Sequence, residues 1–312
     1  MLKIYSRNEL TWPVALLFAF VMWILNAITG IGGKTVFEPL TNAFFDYTLG
    51  LLACAAIVYV IAEVNTRHYL LANSDRTISL TLMLLIVMST FLHPLQANQL
   101  TMMAYLVSYL YLFGASNSKQ PQVLAFIAAM MLGVVTLVMP QMVWMIGALW
   151  VSLVILRIFS LKALVASLLG VALPYWFWAV IAAVIGKQEP FHLHLDSMTS
   201  FGHASFDVLS TKQLWCFGVV LAMTIVGIVY FFKDIHLNRS NARINFYVVC
   251  FKAVIAFFFI WLEPECFQGV YPLCLVNAAF LWGRFCSFSK GRMPDILWTS
   301  ITIAIILTTF IG

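Results

Sequence analysis

Residues Val123 to Phe159 read VLAFIAAMMLGVVTLVMPQMVWMIGALWVSLVILRIF, a nearly unbroken apolar run of 37 residues whose reading decides the fold. A helix rises about 1.5 Å per residue, so the run is far too long for one straight crossing of about 30 Å of hydrocarbon. Only Met139-Pro140-Gln141 interrupts it. A proline cannot continue a helix without losing a hydrogen bond, so the stretch reads as two membrane helices joined in a tight hairpin at Pro140.

The rest of the chain fits that solvent. Of its 312 residues, 63% are hydrophobic and 9% are charged, against roughly 45–50% and about 25% in soluble globular proteins. Twelve acidic and 17 basic side chains cannot coat a water-facing surface of this size, which excludes a soluble enzyme or nucleic-acid binder. The sequence predicts an all-α, polytopic transmembrane bundle, a single integral membrane domain over residues 1–312. Punctuation by polar and Pro/Gly-containing segments gives eleven spans, about 12–30, 44–62, 77–92, 99–115, 122–138, 141–159, 161–185, 213–232, 244–262, 269–285 and 294–311. Pro174 is expected to kink the seventh.

Basic residues orient this arrangement, because cytoplasmic loops retain Lys and Arg. With the N-terminus inside and the C-terminus outside, thirteen of the 17 fall on the inner side, and only Lys34, Lys187 and Lys212 on the outer. Lys252 lies within a span. The net charge of +5 is thus a topological signal, and no nucleic-acid partner is implied. Lys3 and Arg7 also suit a signal peptide, but residues 12–30 have full span length and are read as a retained helix. Five of the six cysteines fall in or beside spans as packing residues; Cys266, in an outer loop, is placed to close a small loop with Cys274 if that face is oxidising.

The outer loops are short except residues 187–212, KQEPFHLHLDSMTSFGHASFDVLSTK. His192, His194 and Asp196 alternate there with Phe191, Leu193 and Leu195. An extended segment would set two imidazoles and a carboxylate on one face, able to hold a divalent metal, with His203 and Asp207 available to complete it. The same alternation describes an amphipathic segment lying at the headgroups. In the first outer loop Lys34 and Glu38 precede Asp46 at the mouth of the second span; Glu38 and Asp46 are candidate general bases, and equally candidate helix-start residues beside Thr41 and Asn42. Seven acids to three lysines on the outer side favour a cation or a metal-bridged phosphate over a bare anion.

Lys252 is the strongest anomaly. It sits about mid-span in INFYVVCFKAVIAFFFIWLE, where a charge is costly and normally faces a partner or a cavity. Either its long stem snorkels toward the inner headgroups or its ammonium binds something, a phosphate being the candidate shared with Lys34. Glu263 and Asp46 are the plausible buried partners. Asn26, Gln141 and Asn277 read as glue between helices.

Short motifs add a resemblance. Phe37-Glu38-Pro39-Leu40-Thr41, Pro94 with Asn98, Arg157 followed by Ser160-Leu161, and Leu262-Glu263-Pro264 together resemble a family of uncharacterised bacterial polytopic inner-membrane proteins grouped as a domain of unknown function. That resemblance implies a bacterial inner-membrane location. More remotely, an outer-loop acid with a later polar outer loop is similar to membrane glycosyltransferases that use polyprenyl-phosphate sugars, which usually carry their acid, often paired, in a longer first loop. Three function classes follow: an enzyme or handler of lipid-linked envelope glycans acting on a polyprenyl-phosphate or other amphiphilic substrate, an assembly or scaffold subunit, and a transporter or flippase.

Overall fold

Small residues decide which helices come closest. A computed structural model describes residues 43–71, 76–186, 189–200, 205–234 and 240–288, together with the isolated positions Leu17, Phe20, Val21, Trp23 and Ile24. Every regular element among these is helical. In chain order they are α1 (Ala43–His68), α2 (Thr77–Met88), α3 (Ala97–Ala115), α4 (Pro121–Val138), α5 (Met145–Ile155), α6 (Leu161–Ile185), α7 (Glu189–Ser197), α8 (Thr211–Lys233), α9 (Ser240–Leu262) and α10 (Phe267–Phe288), with single 3-10 turns between several of them.

Each of the nine expected spans between residues 44 and 285 coincides with a helix. Six stretches are long and apolar enough to cross a membrane: Asp46–His68, Pro121–Val138, Leu161–Ile185, Thr211–Lys233, Asn241–Leu262 and Pro264–Phe288. Thr77–Met88 and Pro140–Ile155 are apolar but shorter. The described residues therefore carry six candidate spans, not the eleven expected. The expectations over 12–30, but for those isolated positions, and over 294–311 lie outside the described residues. Neither the count of eleven nor the orientation follows from the helices alone.

Local chemistry explains several helix ends. Ser160 caps α6, its hydroxyl accepting from the Ala163 N–H, and Gly186 ends it at φ 74°, the left-handed conformation glycine adopts without a Cβ penalty. Ser210 and Gln213 form a reciprocal capping box at the start of α8. Asn65 closes α1 through its carbonyl, which accepts from Leu70, and its side chain, which accepts from Leu71. At the decisive run, α4 stops where Met139 turns extended (φ −132°, ψ 98°) and a 3-10 turn over Pro140–Trp144 leads into α5.

The break is where the sequence placed it, with α4 and α5 joined across that turn and in contact. The chief partner of α4 is α6. One face of α4 presents buried Ala125, Ala129 and Gly133 at four-residue spacing, and α6 answers with buried Ala163, Ser167, Gly170 and Val171. Stacked small residues let two backbones approach within a lipid solvent that offers no hydrophobic drive for association. A Cβ at Gly170 would collide with the Phe126 carbonyl, and one at Gly133 would lie 2.9 Å from the Val171 carbonyl. On α5 the Trp150 indole donates to Ser167 Oγ at 3.0 Å, tying that helix to α6 as well. α6 runs through Pro174 without interruption.

The chain divides into two compact units, residues 1–99 with 209–243 and 274–312, and residues 100–208 with 244–273. The first gathers α1, α2, α8 and most of α10. There the 93–95 turn lies against α1: the Leu95 N–H donates to the Asp46 carbonyl at 3.2 Å, and a Cβ on Gly50 would strike the His93 carbonyl. Arg284 of α10, 1% exposed, donates to the Asp234 carbonyl at 3.0 Å at the C-terminal end of α8, its guanidinium over the rings of Phe231 and Phe288. A cation bonded to the last carbonyls of a helix complements its dipole. The second unit holds most of α3 together with α4 to α7 and most of α9.

Candidate functional site

In the second unit, Lys252 is 3% exposed and faces aromatic rings. Its Nζ lies 4.3 Å from the centre of the Tyr109 ring and 5.2 Å from that of Tyr105. The two tyrosines stand one turn apart on α3, rings edge to face at 4.9 Å and hydroxyls 3.3 Å apart. Four-residue spacing on α3 builds this cradle, because residues i and i+4 share a helix face. The ammonium is buried against these π-faces rather than left exposed. No carboxylate meets it among the described residues. Glu263, expected as a partner, sits about 16 Å further along the axis of α9, itself 3% exposed, with the Cys266 N–H donating to its carbonyl. A cation over two phenol faces is attracted by the ring quadrupoles, yet keeps its charge unneutralised.

The metal expectation is corrected. Glu189 to Ser197 form helix α7, not an extended segment. Pro190 suits a first helical turn and Glu189 opposes the positive end of the dipole, so the local sequence starts a helix there. On a helix His192 and His194 are about 200° apart. His192 and Asp196 point outward, whereas His194 turns in with Phe191. Among the described residues no three His, Cys, Asp or Glu come together in a way that can hold a metal ion. Asp207 accepts from Ser205 Oγ at 3.0 Å, and His203 lies outside the described residues.

His194 has a different partner set. It meets the Thr136 carbonyl at 3.2 Å, at the C-terminal end of α4, and packs edge-on against Trp178 at 4.7 Å with Tyr175 at 6.0 Å. Trp178 also receives Phe191 edge-on, and the Trp144 indole donates to the Met198 carbonyl at 3.4 Å. Tyr175 and Trp178 are the inward pair of the aromatic cluster; Trp176 and Phe177 are exposed. Burial lowers the His194 pKa and the bond to Thr136 partly opposes this, so α7 is latched by a neutral imidazole.

Of the candidate bases, Asp46 lies in α1 at 1% exposure and Glu38 lies outside the described residues, as does Lys34. Cys266 and Cys274 are both free thiols, so the expected loop-closing bridge is absent between them.

A polar group that sequence reasoning missed surrounds His93 in the first unit. The imidazole is fully buried and stacked on Trp23 at 4.0 Å, and the Trp23 indole in turn donates to the Tyr47 carbonyl at 2.9 Å. Gln99 spans the turn, its Nε2 donating to the carbonyls of Leu92 (2.9 Å) and Pro94 (3.2 Å). Burial holds the His93 pKa well below its ordinary value; the Ile86 and Val87 carbonyls oppose the shift, and the nearby Lys212 ammonium reinforces it. The signal was available in part: a histidine just before Pro94 and a glutamine five residues after it, at the start of the next apolar helix, have no water to hydrate them unless the fold supplies partners.

No protein family, curated protein or solved structure matches the chain.

Proposed function

We propose that this is a bacterial inner-membrane protein that handles an amphiphile with an anionic, phosphate-bearing head, a lipid-linked envelope glycan precursor being the substrate class. The observation that carries this reading is Lys252: a desolvated ammonium inside an apolar helix, cradled by Tyr105 and Tyr109 with no carboxylate at it among the described residues. Such a group costs several kcal/mol of desolvation unless an anion neutralises it. A phosphate does so, and the apolar surroundings suit the chain that carries the phosphate. Glu38 is the general base this reading assigns and Lys34 the second phosphate contact.

The same proposal includes eleven spans with the N-terminus inside and the C-terminus outside. Contacts between elements support that alternation. His194 with Thr136, Trp144 with Met198, and Leu95 with Asp46 each join segments assigned to the outer side, and Arg284 with Asp234 joins two assigned to the inner side. The excess of Lys and Arg then says which side is which.

The test is binding of a short polyprenyl monophosphate, against the corresponding neutral prenol, to the protein in nanodiscs. Wild type is expected to prefer the phosphate at least tenfold and Lys252→Met to lose that preference while folding normally. Equal affinity for the two lipids in the wild type would sink the reading. Loss of the folded state in Lys252→Met and Lys252→Arg alike, with no phosphate preference in the wild type, would instead make Lys252 a packing group of an assembly subunit.

A further inference from the structure

Around His93 the first unit contains two buried polar atoms of opposite kind that nothing satisfies. Lys212 stands at the start of α8, and its Nζ is shielded from solvent with no hydrogen-bond acceptor among the described residues. Gln99 is 5% exposed, and although its amide nitrogen is fully used, its Oε1 is buried with no donor. Both lie beside the 92–94 turn: Gln99 bonds the Leu92 and Pro94 carbonyls on either side of His93, and Lys212 stands one turn before Cys216, whose Sγ lies 3.9 Å from the Met88 carbonyl at the end of α2. Had the ammonium and the amide oxygen been within reach, they would have satisfied each other. A shielded donor at the start of α8 and a shielded acceptor at the start of α3, both left open beside the 92–94 turn, are each costly, and a ligand that offers an anionic oxygen and a hydroxyl from the same small group satisfies both.

We propose that His93, Gln99 and Lys212 form a phosphate-monoester site distinct from Lys252, in which Lys212 binds an anionic oxygen and Gln99 accepts from the protonated one. The chemistry of the set selects the class. A bare dianion, all acceptors, would face the Gln99 oxygen unfavourably, and an alcohol would leave the ammonium unneutralised; a monoprotonated phosphate answers both. The turn is rigid enough to serve. Trp23 stacks on the imidazole, the Asp46 carbonyl accepts from Leu95, and Gly50 is the one residue type that lets α1 lie against the His93 carbonyl. The site does not depend on the lipid-linked reading of Lys252, because a free phosphate and a lipid-borne one present the same oxygens.

The experiment uses the full-length protein in phosphatidylcholine nanodiscs, with inorganic phosphate as one probe and phosphatidic acid in the bilayer as the other. The rate at which an amine reagent acetylates Lys212 is read by peptide mass spectrometry, with Lys162 at the exposed start of α6 as the internal reference. Protection of Lys212 by inorganic phosphate, unmatched by chloride at equal ionic strength, assigns a free ligand; protection by phosphatidic acid alone assigns a headgroup. Retention of the protecting probe, measured by equilibrium dialysis or native mass spectrometry, should fall at least about tenfold in Lys212→Met and in Gln99→Leu, the scale of one charged hydrogen bond. Protection by neither probe, or equal retention in both variants and wild type, overturns the site. The acetylation arm needs no variant, so it decides the matter even if a substitution prevents folding.

Discussion

Tyr109 and Lys252 hold the most informative pair of side chains. A cation over an aromatic face contributes roughly 2 kcal/mol when desolvated, so the ring matters more than the hydroxyl. Tyr109→Phe keeps the ring and is expected to leave polyprenyl-phosphate binding within about threefold, whereas Tyr109→Leu should weaken it roughly tenfold or more. Titration of the lipid against each variant in nanodiscs checks this. Equal weakening in both would mean that the hydroxyl pair, not the π-face, positions the ammonium. At this scale the sequence was legible only in part. Lys252 was conspicuous because a charge in hydrocarbon has few explanations. Tyr105 and Tyr109 were not, because a tyrosine inside a span is ordinary until something cationic is known to face it.

Helix by helix, boundaries were far easier to read than pairings. The break at Met139 is a local event, set by one proline after an apolar run, and so it was foreseen. The α4–α6 contact is set by two stripes of small residues separated in sequence by the whole of α5, a pairing that adjacency along the chain does not reveal. Its strength is testable. Gly170→Ala drives a methyl into the Phe126 carbonyl and should cost about 1–3 kcal/mol, seen as a lowered thermal midpoint. Gly147→Ala on α5 meets nothing within 4 Å and should be neutral or slightly stabilising, since alanine favours helix more than glycine does. If the two variants melt alike, close approach is not what holds the pair.

α7 belongs to the same scale. The alternation of His192, His194 and Asp196 was read for a strand period, and the local start signals at Glu189-Pro190 won. Because the folded His194 pKa lies below its free value, the docked state binds fewer protons than the undocked one. The imidazole's contribution to docking is therefore fully present above the ordinary histidine pKa of about 6.5 and diminishes as pH falls below it. Lys162, Tyr175, Glu189, His192 and Asp196 are the other titratable groups on the two helices that meet there. The protection of amides 189–198, taken against the intrinsic exchange rate at each pH, should fall between pH 7 and pH 5 in wild type and stay level in His194→Gln. Protection in wild type that does not change with pH would remove the imidazole latch.

For the molecule as a whole, composition pointed to an apolar, membrane-type solvent, and the distribution of 17 basic residues carries the orientation proposed above. What composition leaves open is which polar residues converge, since His93, Gln99 and Lys212 come from segments more than a hundred residues apart and no spacing rule links them. Orientation has its own check. In a cysteine-free background, Ser200→Cys should react with a membrane-impermeant maleimide from the outside of sealed vesicles, and Ser118→Cys only after permeabilisation. The reverse pattern would invert the topology and move His93 and Lys212 to the inner face.

The most direct test of the central claim, that Lys252 receives an anionic lipid head, is native mass spectrometry of the protein released from mild detergent with its endogenous lipids. A polyprenyl-phosphate or lipid-linked sugar carried by the wild type and lost in a folded Lys252→Met variant is the predicted result. Bulk phospholipid alone, identical in the two proteins, would contradict it.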